Sequence, residues 1–222
     1  QGFAQILFSV FLPASVTSVT VPPVLFEDDA CYCYEVLAIE ESGNQTLSSA
    51  TFVTGSGCEE EDPDEDETPQ IKAAKLLIEH NSTDEDTGFQ GFADGDPWNE
   101  LTITAPGNDL ILTVMPEDGW YDFGLTELFL ETSEPENAEV PIASVLARLP
   151  EGTYTFRGDM VDGDPSTMTA EFTHKIPSGP TLLSPADGAS NVNPNNVVVT
   201  WSAVTKDING ADITIVGYQV IV

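Results

Sequence analysis

The chain has 222 residues, and its 6 Lys plus Arg stand against 38 Asp plus Glu, giving a formal net charge of -32. This balance argues against binding to nucleic acids or anionic membrane surfaces, because both kinds of partner need basic residues. The apolar fraction of 41% is sufficient for a hydrophobic core. With only two His and three Cys in the sequence, we expect neither an enzyme nor a zinc site.

The acidity has three possible explanations. A chain this charged repels itself unless ions screen the repulsion. A saline exterior, bound divalent cations or a basic partner would each supply that screening. No stretch of the sequence has the ~20 apolar residues of a membrane helix, so we expect no membrane insertion.

The first part of the chain shows the period-two alternation of a β-strand. The residues that share one face of this strand are Tyr32, Tyr34, Val36 and Ala38. A Ser-Gly-Asn turn at residues 42–44 leads into a second alternating run over residues 50–54. Since Gly and Asn tolerate positive φ, the two runs predict a hairpin.

The three cysteines are an odd number, so at least one thiol is free or pairs between chains. Cys31 and Cys33 are two residues apart in the first strand and point to the same side. If the hairpin folds back, Cys58 returns to the level of Cys31, which predicts a disulfide from Cys58 to Cys31 or Cys33. The alternative is three free thiols in a reducing compartment.

Two boundaries divide the chain. Every residue of 59–67 except Pro63 is acidic, and like charges at this density favour an extended linker. Two prolines and a glycine within residues 176–180 mark the second boundary. The predicted parts are residues 1–54, a linker at 55–69, a central domain at 70–177, and residues 178–222.

The central domain shows many short alternating runs separated by Gly, Pro and Asp, which predicts a β-sandwich. The predicted strands are 71–80, 88–93, 101–105, 110–115, 125–131, 152–157 and 168–174. Propensity permits a short helix at 71–80 as well. Residues 142–149 predict one or two helical turns ending before Pro150.

The last part alternates again. One run places Val197, Val199, Trp201 and Ala203 on one face, and a turn follows at Asn209-Gly210. The second run carries Val216, Tyr218, Val220 and Val222.

The two ends of the chain together resemble a fibronectin type III domain whose halves are in reversed order. Residues 180–188, 197–204 and 215–222 resemble its first three strands, the second of which carries Trp201. The later strands of that family are resembled by residues 7–13, 17–23 and 32–46, with Tyr32 at the position of the tyrosine corner. The two halves have the combined size of one such sandwich, about 100 residues. The resemblance implies an all-β chain with two sandwiches.

The central domain resembles uncharacterised secreted bacterial proteins at residues 79–84, 124–129 and 150–156. This resemblance implies an extracellular or cell-surface location, and it carries no known activity.

Neither half of the split sandwich can bury its apolar face alone. Completion of the sandwich within one chain would give a circularly permuted monomer. Such a monomer would function as a secreted binding module, either an adhesin or a carbohydrate-binding domain that uses Trp98 and Trp120-Tyr121. Completion between chains would join copies head-to-tail into an extracellular filament, which is the function we expect. The expected interface core is Trp201, Tyr218, Val220, Tyr32, Tyr34 and Val36.

Calcium is the one cofactor that the sequence suggests, since carboxylates in Gly-containing loops suit a hard cation. The candidate ligands are Asp84, Asp86, Asp94, Asp96, Asp162 and Asp164. None of these groups has the EF-hand spacing, and clusters arise by chance in a chain this acidic. Asn44 and Asn81 begin N-glycosylation triplets. His80 and His174 are expected to be partly exposed polar residues at strand ends.

Overall fold

A computed structural model describes residues 7–39, 41, 44–55, 68–193 and 197–220. The chain divides into two compact units, residues 1–67 and 68–222. The division falls inside the acidic segment that the sequence predicts as a linker. Within the described ranges, no helix is long and apolar enough to cross a membrane.

The first unit is built around one antiparallel hairpin. A 3-10 helix at Pro23–Leu25 precedes β1 (Cys31–Ile39), which pairs with β2 (Gln45–Val53) over its whole length. The register places Tyr32 opposite Phe52. The predicted hairpin is confirmed, while residues 42 and 43 of its turn lie outside the described residues.

The second unit is almost entirely β-structure. Its main strands are β3 (Ile71–Asn81), β4 (Asp86–Thr104), β5 (Leu110–Val114), β6 (Leu125–Glu131), β7 (Gly152–Met160) and β8 (Ser166–Phe172). A 3-10 helix (Asp118–Trp120) lies between β5 and β6, and a short helix, α1 (Ile142–Leu146), lies between β6 and β7. The predicted all-β class is confirmed, and the segment at 71–80 is a strand because its residues alternate between buried and exposed positions.

The long strand β4 organises a curled antiparallel sheet of six strands. Its first part pairs with β3 up to Gly95 and with β6 up to Trp98. Its second part pairs with β7 from Trp98 and with β5 from Leu101, and β8 extends the sheet beyond β7. The register shifts between Asp94 and Trp98, where the strand bends. This arrangement is consistent with a sandwich whose two layers share β4.

The prediction of separate strands at 88–93 and 101–105 was wrong, because both belong to β4. The composition of the Asp-Gly-Asp-Pro segment between them, residues 94–97, predicts a turn, but hydrogen bonds to the start of β3 keep it within the strand. The backbone N–H of Asp96 donates to the carbonyl of Gln70 at 3.0 Å. A Cβ on Gly95 would lie 2.5 Å from the same carbonyl oxygen, so only glycine permits this approach.

The core of the second unit lies inside the curled sheet and is dominated by large side chains. The largest fully buried apolar and aromatic residues are Trp98, Leu101, Ile103, Tyr154, Phe156 and Phe172. The hydroxyl of Tyr154 donates to the carbonyl of Pro150 at 2.8 Å, and burial raises the pKa of this tyrosine. The burial of these large side chains contributes to the apolar stabilisation of this unit.

The C-terminal part contains less strand than the sequence predicts. Among its described residues, the paired strands are β9 (Leu182–Ser184) and β10 (Thr200–Trp201), with isolated bridges at Pro177–Asp207 and Lys206–Asp212, and residues 202–205 and 213–220 are in no strand. The turn predicted at Asn209-Gly210 is confirmed, with Gly210 at φ +83°. Residues 7–22, where the resemblance implies two strands, contain none either. Among the described residues, these segments make isolated backbone hydrogen bonds, such as that from the N–H of Ile213 to the carbonyl of Thr205 at 3.2 Å, and no continuous ladder.

Candidate assembly surfaces

The first surface is the hairpin face, which we define as Tyr32, Tyr34, Val36 and Phe52. The ring of Tyr32 stacks on Phe52 with centroids 5.4 Å apart and meets Phe26 edge-on at 5.0 Å. Tyr34 is 52% exposed and Val36 is 62% exposed. A paired strand therefore holds a row of apolar side chains in fixed positions, and that row is open to water.

The corner before β1 is fixed by hydrogen bonds around Tyr32. The backbone N–H of Glu27 donates to the Tyr32 hydroxyl oxygen at 2.6 Å. The Thr54 hydroxyl donates to the carbonyl of Glu27 at 2.5 Å and accepts from the N–H of Ala30 at 3.0 Å. A tyrosine hydroxyl bonded to backbone a few residues upstream is the geometry of a tyrosine corner. Sequence reasoning missed these roles of Glu27 and Thr54, since alternation marks Thr54 only as a strand residue and no pattern marks Glu27.

The segment that precedes this corner is apolar and exposed. Residues 7–22 are in no strand, and Phe11 is 83% exposed. Residues 1–26 of the sequence contain no Asp, Glu, Lys or Arg. In a chain of net charge -32, such a long uncharged segment is unusual, and charge depletion is typical of buried interface cores.

The second surface is the tail surface, which we define as Trp201, Val216, Tyr218 and Val220. The rings of Trp201 and Tyr218 lie 5.4 Å apart, and the Tyr218 hydroxyl oxygen accepts from the N–H of Val204 at 2.7 Å. Val216 is 102% exposed, and Tyr218 and Val220 are 44% and 48% exposed. Residues 213–220 contain no charged side chain. The tail surface is thus a second apolar, uncharged region open to water.

The cysteines on β1 differ in state. Cys31 is disulfide-bonded, and Cys33 is a free, exposed thiol. Cys58, the third cysteine, lies outside the described residues. Of the two predicted bonding positions, Cys31 is therefore the one used.

The six predicted calcium ligands lie in three separate places. They are Asp84 and Asp86 around the turn from β3 to β4, Asp94 and Asp96 within β4, and Asp162 and Asp164 in the turn from β7 to β8. Among the described residues, no group of three or more His, Cys, Asp or Glu is arranged to hold a metal ion. The prediction that Asp94 and Asp96 lie in a loop was wrong, since both are strand residues at the β4 bend.

Asp96 has partners within the protein. Its carboxylate accepts from the Lys72 ammonium at 2.6 Å and from the backbone N–H of Gln70 at 3.0 Å. Partial burial alone would raise the pKa of Asp96, but these two hydrogen bonds and the charge of Lys72 outweigh burial and lower it. The carboxylate therefore ties β3 to the bend of β4.

A group of acidic side chains lies near the beginning of β4. Burial raises the pKa of Glu134, and repulsion from Glu79, Glu131 and Asp86 raises it further. One oxygen of Glu134 is buried without a hydrogen-bond partner. The raised pKa means that ionised Glu134 is unfavourable in the folded unit.

The aromatic candidates separate into one core residue and one exposed pair. Trp98 is fully buried, so the prediction that it contributes to a binding platform was wrong. Trp120 and Tyr121 are 71% and 47% exposed, and the neighbouring Phe123, which sequence reasoning missed, is 79% exposed. An aromatic residue one turn beyond Trp120 in an acidic loop is the signal that would have found it.

Both histidines take part in local hydrogen bonding. His80 Nδ1 lies 2.9 Å from the Thr87 hydroxyl, and His174 Nε2 lies 2.8 Å from the carbonyl of Leu149. Each is partly buried at or near the end of a strand, where it links neighbouring segments.

The two asparagines of the glycosylation triplets differ in environment. Asn81 Oδ1 accepts from the backbone N–H groups of Thr83 and Asp84, and Asn81 Nδ2 donates to the Asp84 carboxylate. Asn81 thereby closes the turn after β3 with the very nitrogen that a glycan would modify. Asn44 is exposed beside the hairpin turn.

Comparison with known protein families, with curated proteins and with solved structures finds no match to this chain.

Proposed function

We propose that the chain is a structural, non-enzymatic subunit of an extracellular filament. In this proposal residues 178–222 of one copy and residues 1–54 of the next complete one fibronectin type III-like sandwich. The observation that supports this filament is which segments of the two halves are paired as strands and which are not. Strands with a partner in their own half are paired, as in β1–β2 and β9–β10, whereas segments whose family partners lie in the other half, residues 7–22 and 213–220, are in no strand.

The hairpin face and the tail surface also complement each other chemically. Each combines a fixed aromatic pair, Tyr32–Phe52 or Trp201–Tyr218, with exposed apolar side chains. Large exposed apolar areas in a secreted protein indicate an interaction surface. The adjoining segments carry no charge although the whole chain carries -32, so they could be buried together without desolvating an ion.

The geometry of the tyrosine corner supports the same conclusion. The hydrogen bond between the Tyr32 hydroxyl and the N–H of Glu27 sets the start of β1 as in the sixth strand of the resembled family. Strand completion uses backbone hydrogen bonds for affinity and side-chain pockets for specificity.

Contacts of this kind involve two different surfaces of the subunit. Such heterologous contacts propagate into open filaments, or into rings where the rotation closes. Burying a whole sandwich core would place the interface in the size range of obligate complexes, above about 2,000 Å². The subunits would then stay joined at low concentration.

Sedimentation velocity and negative-stain microscopy of the full chain would test the proposal. We expect species much larger than the 23.8 kDa subunit, with a length distribution that grows with concentration. A single 23.8 kDa species at all concentrations would contradict the filament, and it would favour sandwich completion within one chain.

A further inference from the structure

The loop between β5 and β6 exposes three aromatic side chains within four residues. Trp120, Tyr121 and Phe123 follow the acidic pair Glu117-Asp118, and Trp120 and Phe123 are among the most exposed large side chains of the second unit. Single exposed apolar residues are ordinary on a protein surface, but three exposed aromatic side chains within four residues place a patch of apolar area on one loop.

The backbone of this loop is ordered by its own hydrogen bonds. The N–H groups of Trp120 and Tyr121 donate to the carbonyls of Glu117 and Asp118 at 3.2 and 3.1 Å, and that of Gly124 donates to the carbonyl of Trp120 at 3.0 Å. These bonds fix the positions from which the aromatic side chains project. A binding loop that is already ordered loses less conformational entropy when a ligand binds.

The end of the loop is packed onto the core at the β4 bend. Gly124 has φ +71°, and a Cβ there would lie 2.5 Å from the Val161 side chain and 3.1 Å from the backbone nitrogen of Trp98. The end of the loop is therefore packed closely against β4 at the fully buried Trp98.

The ring arrangement indicates an open platform rather than an aromatic cage. Among the ring contacts of the described residues, none joins Trp120, Tyr121 and Phe123 to one another. A cage for a cationic group needs rings that face each other around it. Separate ring faces instead suit a ligand with repeated flat apolar surfaces, such as the C–H faces of linked sugar rings.

The charges of the loop restrict the chemical class of the ligand further. Residues 115–124 contain three carboxylates, those of Glu117, Asp118 and Asp122, and no Lys, Arg or His. Carboxylates accept hydrogen bonds from hydroxyl groups and repel anions. We propose that Trp120, Tyr121 and Phe123 form a binding platform for a neutral polysaccharide, with the neighbouring carboxylates accepting from sugar hydroxyls. This site lies apart from the hairpin face and the tail surface in sequence and does not depend on filament formation.

Affinity electrophoresis of the full chain tests this proposal. Native gels would contain one soluble polymer each: laminarin, xyloglucan, galactomannan or hydroxyethyl cellulose as neutral probes, alginate as an anionic probe and chitosan as a cationic probe. We expect at least one neutral polymer to retard the protein. Trp120→Ala should weaken that retardation about fivefold, since a stacked ring contributes on the order of 1 kcal/mol.

Leu110→Ala is the matched control, since Leu110 is 62% exposed on β5 outside the loop. It should leave retardation unchanged, and thermal unfolding should be the same for both variants because both side chains are exposed. Retardation by no neutral polymer, equal retardation of Trp120→Ala and the unmodified chain, or retardation by chitosan alone would overturn the proposal.

Discussion

Replacement of Val216 by lysine should weaken the association of subunits and leave the folding of each subunit unchanged. Val216 is 102% exposed, so its side chain stabilises nothing within the described chain, and the substitution should leave the unfolding free energy within about 0.5 kcal/mol. In an extended strand Val216 lies on the same side as Tyr218, two residues away, whose ring packs on Trp201. Completion of the sandwich would therefore bury position 216.

The expected loss of subunit affinity in Val216→Lys can be calculated from the burial of this side chain. Burying a valine side chain contributes about 1.5–3 kcal/mol, and a buried unpaired ammonium adds a desolvation cost. At about 1.4 kcal/mol per factor of ten, Val216→Lys should weaken subunit association at least about tenfold to a hundredfold. Sedimentation velocity over a concentration series would measure this, and circular dichroism would verify the fold.

Gln219→Lys is the matched control, because it adds the same charge to the same segment on the opposite side of an extended strand. Either lysine reduces the net charge equally, so long-range repulsion changes by the same amount in both variants. Gln219→Lys should assemble like the unmodified chain. Equal loss of assembly in the two variants, or no loss with Val216→Lys, would refute the burial of this position.

Four further predictions concern the second unit and the charge. Gly95→Ala should destabilise it by about 1–3 kcal/mol in denaturant unfolding because the new Cβ meets backbone, whereas Gly119→Ala, with no atom within 4 Å of the new Cβ, should be nearly neutral. Asp96→Asn should cost about 1 kcal/mol at pH 7; because the folded-state pKa of Asp96 is lowered, that difference should vanish as pH falls below 3.8. Glu134→Gln should stabilise the unit at pH 7, since the raised folded-state pKa penalises the ionised form; the gain should disappear below pH 4.5, and a destabilised variant at pH 7 would contradict it. Lowering the salt from about 0.1 M to 0.01 M, which lengthens the Debye length from about 10 to 30 Å, should shorten filaments in sedimentation, and filaments indifferent to salt would contradict a role for screening.

The sequence predicts paired strands well and the β4 bend poorly. Alternation places the bounds of β6 at 125–131, as observed, because one face of that strand packs on the core and the other faces water. Residues 94–97, Asp-Gly-Asp-Pro, have the composition of a turn, and contacts with distant segments, among them the hydrogen bonds with Gln70 about 25 positions earlier, keep them extended. A contact between distant segments leaves no local signal.

The sequence predicts which side chains share the apolar face of β1, but it does not predict which cysteine of that strand is bonded. Alternation alone placed Tyr32, Tyr34 and Val36 on one face of β1, and the structure agrees. It could not choose between Cys31 and Cys33, which lie on the same side of the strand two residues apart. Periodicity within β1 carries no information on which of the two is bonded, and the structure shows that it is Cys31.

Charge and apolar surface act in opposite directions in the proposed filament, and their separation along the sequence makes assembly possible. Each subunit carries -32, so neighbouring subunits repel one another at long range. That repulsion is screened beyond about 8–10 Å at physiological salt, whereas apolar burial acts at contact. Because residues 1–26 and 213–220 carry none of the charge, subunits in salt can bring these segments together without burying a carboxylate. Contacts between other parts of the surface would place carboxylates against carboxylates, so the acidity favours joining through the chain ends alone.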